Sequence, residues 1–178
     1  MEQTKYKITP QDAAVYLLLE NASHKRENEV LWDLFENYNQ MIVLDYRKSY
    51  LQFKQSVMNL LNIYALDDAS YNEAELILKE TENTEFYYND EVDCFAVYFK
   101  LIWFQLMYSG ISYRKMKLRN LLRDFGYKCR TTLLIHNIQQ AIDNLGLKIY
   151  LRGYVLCDMC DISLDDMIII RLIEKNES

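Results

Sequence analysis

SYRKMKLRNLLRDFGYKCRTTLLIHNIQQAIDNLGLKIYLR, residues 112–152, is the stretch of sequence that decides the fold. Its first part predicts a short basic helix, because the Ser112 hydroxyl can accept a hydrogen bond from an otherwise unpaired backbone N–H. Apolar residues then recur at helical spacing, and these are Leu118, Leu121, Leu122 and Phe125. Gly126 follows, and glycine readily adopts the positive φ that ends a helix.

A second amphipathic helix is predicted over residues 132–145. Thr131 or Thr132 can cap its N-terminus, and Gly146 is placed to end it. The apolar face, which should point inward, consists of Leu134, Ile138, Ala141, Ile142 and Leu145. The opposite face carries His136, Asn137, Gln140 and Asn144.

Two strands are predicted after this helix, over residues 148–151 and over residues 167–173 (MIIIRLI), where strand-forming residues dominate. They can pair as a hairpin with a long connection between them. The order helix, turn, helix, hairpin over residues 112–173 resembles that of the winged helix-turn-helix superfamily. The resemblance implies that residues 132–145 form the recognition helix, whose leading residues approach base edges in the major groove.

Charge is unevenly distributed along the chain. Nine Lys or Arg residues within residues 114–152 are opposed only by Asp124 and Asp143, so this segment carries +7. The whole chain carries −6, and the remainder therefore sums to −13. A basic block in an acidic protein is the kind of electrostatic footprint that attracts phosphates.

The basic block predicts a nucleic-acid interface, with DNA as the expected partner and RNA as an alternative. Basic side chains of the first helix would hold phosphates, while residues at the start of the second helix would read base edges. The predicted interface residues are Lys115, Arg119, Arg123, Lys128, Arg130, Thr131, Thr132, His136, Asn137 and Gln140.

The chain before the basic block predicts an acidic bundle of helices. Only four glycines and one proline are present, which favours long helices over a many-stranded sheet. Thr9 and Pro10 form a helix start, residues 21–27 form a polar connection, and Asp45 and Ser70 are candidate caps of later helices. Residues 41–44 (MIVL) fit either a short strand or the buried entry to a helix.

The helix predicted between Asn89 and Gly110 is the most apolar of the chain. It is apolar nearly all round, so it should lie at the centre of the helical half. A membrane span is the alternative, but Asp93 and Lys100 interrupt the apolar run. The predicted class is therefore mainly α, with an acidic all-helical domain over residues 1–110. A basic winged-helix-like module with a small β-hairpin follows over residues 111–178.

Two groups of residues have the chemistry of metal ligands, but the sequence predicts no cofactor. Cys157 and Cys160 have the spacing of a zinc-ligand pair, which Cys129 and His136 could complete. Free thiols at a hairpin tip are the favoured interpretation, because pair spacing alone is a weak filter. The acidic cluster that could hold magnesium is more simply a solvated surface, and consists of Asp158, Asp161, Asp165 and Asp166.

No phosphate-binding loop or nucleophile elbow is present in the sequence, so we expect a non-enzymatic protein. The first expectation is a DNA-binding regulator, and the alternative is a protein–protein interaction subunit or adaptor, with homodimers or larger oligomers possible in either case. A small metal-dependent enzyme is a distant third. The polar N-terminus lacks a signal peptide's apolar segment, and the irregularly spaced cysteines suit reduced thiols, which predicts a cytoplasmic protein.

Overall fold

The computed structural model describes residues 6–66, 91–153 and 155–173. The chain divides into two compact units, Met1–Tyr87 and Tyr88–Ser178. Six α-helices and one three-stranded antiparallel sheet lie in the described residues, which makes the protein mainly helical. The helix predicted after Ser70 and the start of the helix predicted between Asn89 and Gly110 lie outside the described residues.

The first unit contains α1 (Pro10–Leu19), α2 (His24–Asn37) and α3 (Tyr50–Leu66). α1 begins at Pro10, as the sequence predicts, because Thr9 and Asp12 cap each other's backbone. The Thr9 hydroxyl accepts from the Asp12 N–H at 3.2 Å, and the Asp12 carboxylate accepts from the Thr9 N–H at 2.8 Å. α1 then packs against α3.

The connections of the first unit differ from the prediction in three details. α2 begins at His24 with Ser23 as its cap, so the polar connection over residues 21–27 is largely helical. Asp45 does not cap α3, because it lies in a 3-10 turn, Leu44–Tyr46. Ser49 lies before α3 instead, and its hydroxyl accepts from the Gln52 N–H at 3.3 Å. Residues 41–44 run between this turn and another, Asn39–Met41, with one β-bridge to Ile8.

The second unit contains α4 (Glu91–Tyr108), β1 (Arg114–Lys117), α5 (Leu118–Asp124), α6 (Thr132–Asn144), β2 (Leu147–Tyr150) and β3 (Met167–Leu172). The sheet order is β1-β3-β2, and both strand pairs are antiparallel. The predicted hairpin of β2 with β3 is confirmed. The predicted α6 is also confirmed, with Thr131 as the cap whose hydroxyl accepts from the Leu134 N–H at 3.2 Å.

α4 is a core helix, as its apolar sequence predicts. Its side chains are buried on nearly every side, including Phe95, Phe99 and Phe104. It packs against α6, and it lies in the second unit, whereas a domain boundary after residue 110 would assign it to the first. Within the described residues, no helix combines the length and apolar character that a membrane crossing requires.

The basic helix predicted from Ser112 is wrong in its first part, since residues 114–117 form β1 and the helix begins at Leu118. β1 pairs along β3, whose Ile168 and Ile170 are fully buried. This pairing satisfies backbone groups of β3 that a helix at residues 114–117 would leave open. The first N–H groups of α5 are satisfied by carbonyls of Asp166 (3.1 Å) and Leu164 (2.8 Å) rather than by a capping side chain.

Candidate nucleic-acid interface

The exposed face of α6 is the centre of the candidate interface. Thr132, Leu133 and His136 are exposed, and Asn137 and Gln140 are half-buried. The opposite face is buried and consists of Leu134, Ile135, Ile138, Ala141 and Ile142. The predicted division of this helix into an apolar and a polar face is therefore confirmed.

The turn before α6 presents two cations. α5 ends at a reverse turn in which Gly126 has a φ of +80°, and the Tyr127 N–H donates to the Leu122 carbonyl at 2.9 Å. Arg123 in the last turn of α5 and Lys128 after the glycine are both exposed. These two cations precede the N-terminus of α6, and they are accessible to an anion.

Arg119 has an acidic partner. Its guanidinium lies 2.8 Å from the Asp165 carboxylate, and the Lys117 ammonium lies 3.8 Å from the other oxygen of that carboxylate. All three side chains are about half exposed, so the pairing contributes little to stability. It nevertheless reduces the local positive charge, and Arg119 is therefore a weaker candidate for a phosphate contact than Arg123 or Lys128.

Arg130 has a structural contact that its sequence position does not reveal. Its Nη1 donates to the carbonyl of Met159 at 2.8 Å and also to the carbonyl of Ile162. Met159 and Ile162 are both buried in the connection between β2 and β3. Arg130 therefore holds this connection against the turn before α6.

Replacing Arg130 with alanine should loosen the connection, because the carbonyls of two buried residues lose their donor. We expect a loss of about 1–3 kcal/mol in the free energy of unfolding, together with faster proteolysis within residues 151–166. Urea denaturation and limited digestion with chymotrypsin measure these effects, with Arg123→Ala as the control, because Arg123 is an exposed arginine outside this contact. Equal behaviour of the two variants would show that Arg130 does not anchor the connection.

Two other predicted interface residues are placed differently from the α6 face. The hydroxyl of Thr131 is engaged in capping α6, although the residue is exposed. Lys115 lies on the face of the sheet opposite the buried one. The adjacent Met116 points the other way, where its sulfur accepts from the Tyr98 hydroxyl of α4 at 3.9 Å. The residues predicted as one interface therefore lie on two surfaces of the unit.

The proposed metal ligands do not converge. Among the described residues, no three His, Cys, Asp or Glu side chains form a group that could hold a metal ion. This applies both to the four candidate zinc ligands and to the acidic cluster of residues 158–166. Burial, with added repulsion from Asp158 and Asp166, raises the pKa of the Cys157 thiol. A thiol that stays protonated at neutral pH is a poor nucleophile and a poor metal ligand.

Three exposed apolar residues of the second unit were not predicted. Leu133, in the first turn of α6, is 67% exposed, and Val155 and Leu156 lie on an arm that folds back beside β2. The Leu151 N–H donates to the Val155 carbonyl at 2.8 Å, and Gly153 takes a φ of +87° within this turn. The exposure of Leu133 could have been predicted from the sequence, because this leucine falls outside the apolar stripe of the helix. The fold of the arm carries no such sequence signal.

No family model, curated protein or solved structure matches this chain. Function is therefore inferred from the element order and exposed side chains of the second unit and from the positive charge of residues 114–152.

Proposed function

We propose that the second unit is a winged-helix module that binds duplex DNA. The element order α4-β1-α5-α6-β2-β3 and the sheet order β1-β3-β2 support this resemblance. The observation that carries the proposal is the accessible polar face of α6, which follows a turn with two exposed cations. In a helix-turn-helix the second helix enters the major groove, and α6 holds that position in this chain.

The side chains of the module divide into phosphate contacts and base contacts. Arg123 and Lys128 suit phosphates, because they are exposed cations outside the helix face. Asn137 and Gln140 suit adenine, whose major-groove edge pairs with a side-chain amide, and Leu133 suits the thymine methyl group. Asp143, exposed near the C-terminus of α6, would repel phosphates, so the N-terminal half of the helix should enter the groove.

Duplex DNA fits this surface better than duplex RNA. The major groove of B-form DNA admits an α-helix, whereas the corresponding groove of A-form RNA is too deep and narrow for side chains to read. A helix that carries half-buried amides on its accessible face therefore favours DNA as the partner.

Fluorescence anisotropy with a labelled random-sequence DNA duplex tests the proposal directly. We expect binding at low salt that weakens steeply as salt rises, because each neutralised phosphate releases counterions. Absence of binding at low salt would reject the DNA-binding proposal.

Replacing Asn137 and Gln140 together with alanine should reduce sequence preference more than overall affinity. A bidentate amide–adenine pair contributes about 1–3 kcal/mol of discrimination, so preference for a selected site should fall at least about tenfold. Competition between the selected site and random duplex measures the ratio. Gln139→Ala is the matched control, since the Gln139 amide donates to the Asp143 carboxylate at 3.0 Å. An unchanged ratio would exclude base reading by these two amides.

A second candidate function is a protein-contact module, and the exposed apolar residues Leu133, Val155 and Leu156 favour it. Exposed apolar side chains can contribute to protein interfaces. Stoichiometric co-purification of another protein, in the absence of nucleic acid, would support this candidate over the first. The oligomeric state of the purified chain would show whether a second copy occupies the surface.

A further inference from the structure

The sheet of the second unit has two chemically different faces. The inner face carries the buried Leu147, Ile149, Ile168 and Ile170, together with the half-buried Arg114, Met116 and Leu172. The alternating residues form the outer sheet face, which we define as Tyr113, Lys115, Lys117, Lys148, Tyr150, Met167, Ile169 and Arg171. Four of these eight residues are cations, none is acidic, and two are tyrosines. Asp165 lies at one end, beside Lys117.

Strand register interleaves the rings with the cations. Lys115 lies opposite Ile169, and Ile169 lies opposite Tyr150, so these three residues form one row across the sheet. In the next row, Arg171 lies opposite Lys148, and its guanidinium carbon is 5.2 Å from the centre of the Tyr113 ring. Arg171 therefore adjoins the Tyr113 ring, while Tyr150 has Ile169 opposite it and Lys148 two residues away on its own strand.

We propose that the outer sheet face binds single-stranded nucleic acid, with Tyr113 and Tyr150 stacking on bases and Lys115, Lys148 and Arg171 contacting phosphates. This surface is separate from the exposed face of α6, and the inference goes beyond duplex binding by that helix. Every base has a π-face, so a ring on an accessible surface accepts any base, while neighbouring cations follow the backbone.

The dimensions of the sheet suit a single strand of nucleic acid. The two tyrosines flank β3 on opposite sides, and two strand spacings correspond to about 10 Å. Tyr113 is 47% exposed, and Tyr150 is half-buried. A single strand that crosses the sheet from β1 to β2 would therefore meet Tyr113, then Arg171 or Ile169 on β3, then Tyr150.

A nucleic-acid duplex or an acidic peptide would account for only some of the side chains on the outer sheet face. The bases of a duplex are stacked on one another and cannot stack on a tyrosine of a flat sheet, whereas unstacked bases can. An acidic peptide would account for the cations but leaves the interleaved rings without a role. A surface that combines both features is therefore best matched by a chain that carries both phosphates and bases.

The test is fluorescence anisotropy of the full chain with labelled fifteen-nucleotide oligo(dT), and with an abasic oligonucleotide of the same length. Tyr150→Ala should bind oligo(dT) roughly tenfold more weakly, because one base loses the ring on which it stacks. Tyr150→Phe keeps the ring and should bind with the affinity of the unchanged chain. Lys148→Glu should weaken both probes. Tyr38→Ala in the first unit is the matched control, and thermal melting of each variant checks its folding.

Specific outcomes separate this inference from the proposed duplex binding. Oligo(dT) binding that survives Arg123→Glu with Lys128→Glu, but is lost in Lys148→Glu, would support a distinct sheet surface. Equal affinity for the abasic and the oligo(dT) probes would overturn the inference, because no base would then be stacked. Unchanged oligo(dT) affinity in both Tyr150→Ala and Lys148→Glu would overturn it as well.

Discussion

Reversing the charges of Arg123 and Lys128 together is expected to lower duplex affinity by a factor of about one hundred or more at low salt. Both side chains are exposed beside the turn that precedes α6, and glutamates there would repel the phosphates that the cations attract. The slope of log affinity against log salt should fall by about two, because two fewer counterions are released. Anisotropy titrations of Arg123→Glu with Lys128→Glu at several salt concentrations give both quantities.

Two comparisons make this result specific. Lys25→Glu makes one such charge reversal on α2 of the first unit, where the side chain is 89% exposed, and should leave duplex affinity within about twofold. Arg119→Glu should have a smaller effect than either turn cation, since Asp165 already pairs with Arg119 at 2.8 Å. Duplex affinity of the double variant equal to that of Lys25→Glu would show that this turn does not face DNA.

The elements that sequence predicted correctly are those that local signals define. α6 has a capping threonine at residue 131, an apolar stripe of helical period, and Gly146 with a φ of +65° immediately after its last turn. Each of these signals lies within the element or next to it. The pairing of β2 with β3 was also predictable, because only one strand-like segment follows the short strand after α6.

β1 was missed because its conformation is decided at a distance in sequence. RKMK at residues 114–117 has weak strand character, and it precedes a clear helical stripe that begins at Leu118. The partner that makes it a strand, Met167–Ile170, lies about fifty residues later. Tertiary pairing of this kind routinely overrides local propensity.

The sequence predicted some residues of the candidate site correctly and others wrongly, again because local signals do not show distant contacts. Helical period alone places His136, Asn137 and Gln140 away from the core. The destination of a long side chain depends on what folds beside it, and Arg130 extends to carbonyls of a connection about thirty residues later. Lys115 was predicted on a helix and lies on the outer sheet face, because the strand that sets its direction was itself missed.

Replacing Phe99 with alanine is expected to produce a large loss of stability in the second unit. Phe99 is fully buried on α4, next to the rings of Tyr98 (5.4 Å) and Phe125 (6.1 Å). Truncation of a buried phenylalanine costs about 3–5 kcal/mol, a large fraction of the roughly 5–15 kcal/mol that holds a typical domain folded. The effect should reach the interface as well, because Phe125 lies at the end of α5.

The two tryptophans allow this loss to be measured in the intact chain. Trp103 is 3% exposed on α4, and Trp32 is 51% exposed on α2. In a Trp32→Phe background, fluorescence in urea therefore follows Trp103 alone, and Phe99→Ala should shift the unfolding transition to a much lower urea concentration.

Leu133→Ala is the control, because the Leu133 side chain is mostly in water. It should change the free energy of unfolding by less than about 0.5 kcal/mol. If Phe99→Ala moves the Trp103 transition no further than Leu133→Ala does, the aromatic cluster around Phe125 does not hold α5 against α4. The turn cations would then lack the rigid support on which the DNA-binding proposal depends.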